Sequence, residues 1–348
     1  MNSFLRPQKL LLTGAFLVLA CFGVLPENTL AAPAIQAKFG HVAPPFHGQS
    51  KAAEAFAEFL KEKSGGRIEV ALFPGGQLGG ELSLAEQVQG GTLEIATVST
   101  AVLQNFVPQA AVLDMPFLFP DRQTAYAVLD DPQFQEHFFS FFPAKGFTAI
   151  GWTENEIRDL SNSKRPVRTP EDLQGMKIRV MNSPLHIDTF RQLGASPVGL
   201  PFPEIYNALQ TGVIDAQENP VLTTVLMKFT EVTSYLTLTQ HSLTECVVIV
   251  ANDFWSSLSP EDQQLFREAA RVGIVTNRQI NAELHQRLPG SGLSIDDYAA
   301  ANNIELIRLS PEEREAFRRA MLPVWDKYRP KVGEELFDFT QDKISQYR

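Results

Sequence analysis

Between residues 35 and 98 the chain alternates strand signals with helix signals, which leaves few folds open to it. Ile35 to Val42 reads as a strand. Ser50 to Lys63 places Ala53, Phe56, Ala57 and Leu60 on one helical face. Ser64-Gly65-Gly66 stops that helix, and Ile68 to Phe73 is a second strand. A glycine-rich loop, Pro74 to Gly80, leads to a helix over Glu81 to Gln89 and a strand over Leu93 to Val98. A β-α-β-α-β order predicts a mainly parallel sheet with helices on both faces, an α/β architecture.

A second set of elements begins at Phe147-Thr148-Ala149-Ile150. Lys177 to Val180 reads as a strand, Pro184 to Leu193 as a helix, and Pro203 to Gln210 as a helix ended by Gly212. Val213 to Ala216, Tyr235 to Thr239 and Cys246 to Ala251 read as three further strands. Asn155 to Asn162 reads as a crossover between two lobes. Thr169, Ser259 and Ser310 each precede a proline and then acids, which is the pattern of a capped helix start. The helix from Pro260 is predicted to reach Leu288, and at ~1.5 Å per residue it would be ~43 Å long, enough to brace two lobes.

The first residues read as a targeting segment. Arg6 and Lys9 precede a nearly unbroken apolar run from Leu10 to Leu25, and Thr29-Leu30-Ala31-Ala32 supplies small residues for cleavage. The run is shorter than the ~20 residues of a membrane span. Export to the periplasm is therefore expected, with residues 1–32 removed. Cys21 falls inside this segment, in a sequence that loosely resembles a lipoprotein cleavage box. Cys246 sits alone in an apolar run, where a cysteine usually packs as a small core residue. Stability must therefore come from packing, since no disulfide framework exists. The length of 348 residues suits two domains, and 44% hydrophobic content with 25 phenylalanines suits sizeable cores. A net charge of −10 argues against nucleic acid as a partner. It says nothing against a small anion, because a local pair of arginines outweighs the global sign.

Such a pair is present. Arg179 ends the apolar strand Lys177-Ile178-Arg179-Val180, where a charge is otherwise out of place. Arg158 and Asn219 each follow another strand-like run. Guanidinium is planar, permanently charged and able to grip a carboxylate with two parallel hydrogen bonds. Arg158 could instead pair with Glu156 or Asp159. Asn219 could instead cap the helix expected after Pro220.

Several further motifs occur in a fixed order: Lys51-Ala52-Ala53-Glu54, Phe73 to Gly79, Ala111 to Phe117, Arg179-Val180, Gly194-Ala195-Ser196-Pro197 and Gln217-Glu218-Asn219-Pro220. Together they resemble the substrate-binding proteins of tripartite ATP-independent periplasmic (TRAP) transporters, of the dicarboxylate-receptor (DctP) type, solute-binding protein family 7. The resemblance spans essentially the whole chain after residue 32. It implies a two-lobed venus-flytrap fold with a long lobe-spanning helix. Residues 33–155 plus 245–284 would form lobe I, and 156–244 plus 285–348 lobe II. It also implies a monomeric receptor that closes on an organic-acid anion and docks on a membrane permease driven by an ion gradient.

The same resemblance implies roles for individual residues. Arg179 matches the main carboxylate-binding arginine, Arg158 the second and Asn219 a third contact. Phe202, held between Pro201 and Pro203, resembles the aromatic wall against the ligand's carbon skeleton, though a core phenylalanine would look the same. Asn182 follows Arg179 by three residues and could face the same pocket. Glu81 and Ser99 match pocket positions of the opposite lobe, and Trp152 could line the hinge side. His47 and His241 are further possible polar contacts. No cofactor and no metal ligand set is expected. Two other functions remain to be weighed: a sensor that presents its ligand state to a membrane signalling partner, and an enzyme on an α/β scaffold. The second lacks the G-x-S-x-G, G-x-x-x-x-G-K-[ST] and H-E-x-x-H signatures.

Overall fold

A computed structural model describes residues 34–348. The proposed targeting segment and Cys21 lie outside the described residues. Nine strands form one sheet. They are β1 (Ile35–Gly40), β2 (Ile68–Phe73), β3 (Ile95–Ser99), β4 (Phe147–Asn162), β5 (Lys177–Val180), β6 (Ser196–Gly199), β7 (Ala216–Asn219), β8 (Tyr235–Ala251) and β9 (Glu305–Arg308). The order is β2-β1-β3-β8-β4-β7-β5-β6, with β9 paired to β8. β1 runs parallel to β2 and β3, and β5 runs parallel to β6 and β7. Between these parallel groups stand β4 and β8, antiparallel to each other and to their outer neighbours β7 and β3.

β4 and β8 correct the sequence reading. The stretch read as a crossover, Asn155 to Asn162, is the second half of the 16-residue strand β4. The two strands expected near Tyr235 and Cys246 are one 17-residue strand, β8. Both strands carry polar residues midway, Glu154, Glu156 and Arg158 on one and His241, Ser242 and Glu245 on the other. Those residues imitate a loop in sequence yet are all buried. The register shifts between Glu154 and Ile157, and Glu156 takes a φ of 70°. Such a bulge bends the strand and re-aims its side chains. The strand expected at Val213 to Ala216 begins only at Ala216.

The apolar run of β8 is explained by cover on both faces. Val247 and Ile249 enter a core with Leu84, Val98, Phe134, Phe138 and Trp152. Val248 and Val250 point the other way, into a core with Phe56, Leu60, Ile95 and Phe266. β5 and β7 bury Ile178, Val180 and Ala216 with Leu160, Phe190 and Phe317 in a separate core. The C-terminal helices Val324–Val332 and Glu334–Tyr347 send Tyr328, Leu336 and Ile344 into the first core. These helices fall in the residues 285–348 expected in lobe II, and they pack against residues expected in lobe I.

The helix Pro260–Gln286 ends two residues short of the expected Leu288. It starts as the sequence indicates, with Ser259 accepting from the Asp262 amide and Pro260 in the first turn. Its first half buries Phe266 and Ala270 in the second core. Farther on, Asn277 accepts from the Glu154 amide at 2.6 Å, and Asn281 donates to the Glu154 carboxylate at 3.1 Å. The helix thus braces the sheet where β4 is irregular. A Cβ at Gly48 would fall 2.2 Å from Asn281 Oδ1 and 2.5 Å from Asn277 Nδ2. Only glycine lets the helix Gly48–Lys63 start this close.

Candidate functional site

Strand β5 carries Arg179 between β6 and β7, with Val198 and Gln217 as its cross-strand neighbours. The side chain is 2% exposed. Its Nε donates to the Leu200 carbonyl at 2.9 Å, and its Nη1 has no hydrogen-bond partner. Among the described residues no carboxylate lies within ion-pairing distance of it. Burial, reinforced by Arg158 and opposed by Glu218, lowers its pKa to about 10, so the group stays positive at neutral pH. An uncompensated buried charge is costly, and the guanidinium borders a cavity from which a compensating anion can approach.

That cavity is also lined by Val42, His47, Glu81, Asn219, Phe202 and Thr223. It holds about 30 Å³, room for roughly two waters, so an acid of six or more heavy atoms does not fit in it alone. Arg179, Phe202 and Glu81 also border a second space of about 210 Å³ with Asn182 and Pro201. The site is therefore one arginine, one carboxyl group and one aromatic ring shared between two small chambers.

The structure brings together Arg179, Asn219, Phe202 and Glu81 around the first chamber, and Asn182 around the second. Phe202 meets Phe229 edge-on, with ring centroids 6.2 Å apart, which leaves part of its ring for the cleft. Asn219 does not cap the following helix, whose N-cap is Pro220 without a side-chain bond. Instead its Oδ1 accepts from Arg158 at 3.1 Å, and its Nδ2 donates to Gln217. One amide hydrogen remains for a ligand.

Arg158, Ser99 and Trp152 stand elsewhere. Arg158 is fully buried behind Asn219 and does not line either chamber. It forms an ion pair with Glu218, rather than with Glu156 or Asp159, and donates also to the Glu218 carbonyl. The β4–β7 register, which sets Leu160 opposite Glu218, brings the two together. His241 joins on the far side, 3.5 Å from the same carboxylate, and so lies behind the site. Ser99 serves Glu81: its amide and hydroxyl donate to the two carboxylate oxygens at 3.2 and 2.5 Å. Burial raises the Glu81 pKa, and the Ser99 bonds oppose that rise. Trp152 is a core residue. Its indole N–H donates to the Leu129 carbonyl at 3.1 Å, and its ring packs 4.7 Å from that of Phe139.

His47 caps the helix Gly48–Lys63 by accepting from the Gln49 amide through Nδ1 at 3.2 Å. The proton then sits on Nε2, which lies 3.3 Å from Thr223 Oγ1. Burial lowers the pKa of His47 to about 4, so it faces the cavity as a neutral donor. The lining also includes Gln49, Asn155, Met181 and Thr223, which the sequence reading did not single out. Asn155 is invisible as a pocket residue while its strand reads as a crossover.

Asp159, beside Arg158 on β4, provides a test of the buried polar layer. It accepts from the Gln240 amide at 3.0 Å, and burial pushes its pKa up to about 7. A folded value above the unfolded one means the protonated form stabilises the fold. That stability is complete below about pH 4 and is lost as pH rises through about 7. Asp159→Asn keeps the acceptor and removes the titration. Relative to the parent chain, it is expected to gain about 1–3 kcal/mol between about pH 5 and pH 7. Urea unfolding of both chains at the two pH values measures this, and an unchanged difference would refute it.

A two-sided cleft with a buried cation at its wall, set between two parallel sheet groups joined by shared strands, defines a two-lobed solute-binding protein. The chain belongs to the family described as bacterial extracellular solute-binding protein, family 7 (DctP), whose profile matches residues 39–331. Among its relatives, the 2,3-diketo-L-gulonate-binding periplasmic protein YiaO of Escherichia coli (strain K12) is 34% identical over 272 residues, covering 78% of this chain and 82% of that one. Two solved structures are similar throughout. A TRAP periplasmic solute-binding protein from Bordetella bronchispeptica, with density interpreted as pantoate, superposes with a TM-score of 0.81 at 33% identity. The match covers 89% of this chain and 99% of that one. A second, from Polaromonas sp. JS666 bound to D-erythronate, gives a TM-score of 0.81 at 31% identity, covering 88% and 98%. The family consists of transport receptors, and the chain is a binding protein rather than an enzyme.

Proposed function

We propose that this chain is the periplasmic receptor of a TRAP transporter, that it captures a small organic-acid anion with its carboxylate on Arg179, and that it delivers the anion to a membrane permease. The observation that carries this reading is Arg179, which lines the cleft with its guanidinium buried, its Nη1 unpartnered and no acidic partner among the described residues. A carboxylate entering from the cleft supplies the missing charge and acceptors together. Asn219 and the His47 Nε2–H add donors from two sides, and Phe202 supplies an apolar wall. The acids named for the relatives, 2,3-diketo-L-gulonate, pantoate and D-erythronate, support a carboxylate with neighbouring oxygens. Arg158 acts on this reading through Asn219, which it holds in place. β4 and β8 serve as the hinge, with lobe boundaries near Asn155 and Glu245, and the first residues direct export.

A thermal-shift screen of residues 33–348 against hydroxy, keto, sugar and C4-dicarboxylic acids tests the reading. An acid present at ~100 times its Kd adds ~2.7 kcal/mol, a shift of a few degrees for a chain this size. If no carboxylate in such a panel stabilises the protein at millimolar concentration, the reading is wrong.

A further inference from the structure

Gln104 connects the two sides of the cleft without touching either chamber's Arg179 wall. It follows the short helix Thr100–Leu103, which Ser99 caps, and so belongs to the side that carries Glu81. It is 7% exposed. Its Nε2 donates to the Ala101 carbonyl at 2.8 Å within its own turn and to Ser183 Oγ at 2.6 Å across the cleft. Its Oε1 accepts from the Leu185 amide at 3.3 Å.

Those partners form the first turn of the helix Pro184–Gln192, which follows β5 and Arg179. Helix starts leave amides without intrahelical partners. Here Pro184 has none to offer, Ser183 takes the His186 amide at 3.2 Å, and Gln104 takes that of Leu185 from the opposite side. The neighbouring Asn105 donates to the Asn182 carbonyl at 2.8 Å. Gln104 and Asn105 thus hold Asn182, Ser183 and Leu185, the segment just after the carboxylate-binding arginine. The cleft mouth fits the same arrangement. A Cβ at Gly80 would lie 3.2 Å from Pro201, and one at Gly76 would lie 3.0 Å from Pro203. The glycine-rich loop therefore lets the two sides meet.

We propose that Gln104 is a positioning residue for closure: a polar latch that completes the cap of helix Pro184–Gln192 only when the cleft is shut, and so sets how long a bound anion is retained. This rests on the reading that the cleft opens to admit an acid. The residue makes no contact with the anion, so its loss acts on dissociation rather than on entry.

The test uses residues 33–348 with spin labels at Glu58→Cys and Arg191→Cys, both exposed and on opposite sides, while Cys246 is buried. Inter-label distances are measured with no acid and with saturating D-erythronate, pantoate, 2,3-diketo-L-gulonate or succinate, and stopped-flow gives dissociation rates. Gln104→Met keeps the shape and removes the hydrogen bonds. It is expected to lower the ratio of short to long distances about 10-fold and to speed dissociation about 10-fold, two modest hydrogen bonds' worth. Association and the acid-free melting temperature should hold. The proposal is overturned if Gln104→Met matches the parent in distances and dissociation rate, or if the parent never populates the short distance. If no acid of the full thermal-shift panel binds the parent, the carboxylate reading fails separately and the latch is judged on the acid-free distances.

Discussion

Arg179→Ala is expected to weaken binding of any acid found in the screen by about 30- to 5,000-fold, the largest functional loss expected here of a single substitution. Truncating one member of a buried, hydrogen-bonded charge pair costs roughly 2–5 kcal/mol, partly because the other charge is left unpaired. The same change removes a cation that is buried without an acidic partner, so the acid-free melting temperature should stay level or rise. That opposition separates a binding residue from a structural one, since a structural arginine would lose both. Arg179→Lys should recover little. An ammonium cannot hold the Leu200 carbonyl and a two-oxygen anion in one plane. Isothermal titration measures the affinity. Binding by Arg179→Ala within threefold of the parent would remove the arginine from the site.

The second large effect falls on stability. Glu218→Ala is expected to cost about 3–5 kcal/mol of unfolding free energy, because it strands a fully buried Arg158. Burial alone would raise the Glu218 pKa. The Arg158 guanidinium, with the His241 ring 3.5 Å away, outweighs it and holds the carboxyl well below the usual range. A depressed value contributes stability that is present above the ordinary carboxylate pKa and is lost as pH falls below it. Replacing both partners, as Arg158→Met with Glu218→Leu, should recover much of the loss, since paired apolar groups leave no orphan charge. Binding should not recover, because Asn219 would no longer be held by Arg158. Urea unfolding tests the first claim, and a loss below 1 kcal/mol for Glu218→Ala would defeat it.

Much of this arrangement was legible in the chain. Arg179 stands out because a charge between Ile178 and Val180 on a short strand needs a reason, and β5 covers the predicted residues. The strand at Ile68–Phe73 and the helix at Glu81–Gln89 also match the predicted bounds, because period and punctuation agree there. The pairing of Arg158 was not legible. Nothing local indicates Glu218 as its partner, since the contact arises from the register between β4 and β7. β4 and β8 were broken in the reading because a buried polar stretch and an exposed loop share a composition. Trp152 lines neither chamber beside Arg179, for a related reason. Its strand turns that face toward Phe138 and Phe139, and side-chain direction in a bulged strand follows from tertiary packing.

The return of the C-terminal helices to the first core has a consequence for how the chain is made. Leu84 and Val98 share that core with Tyr328, Leu336 and Ile344. No earlier length of polypeptide can complete it, so apolar surface from the first strands stays open while more than 200 further residues emerge. Contacts this distant in sequence close slowly, and an incomplete core is an aggregation hazard. Such a chain gains from remaining loose until synthesis is finished. A nascent chain stalled before Val324 should therefore be a strong client for holding chaperones, whereas the released full-length chain should not.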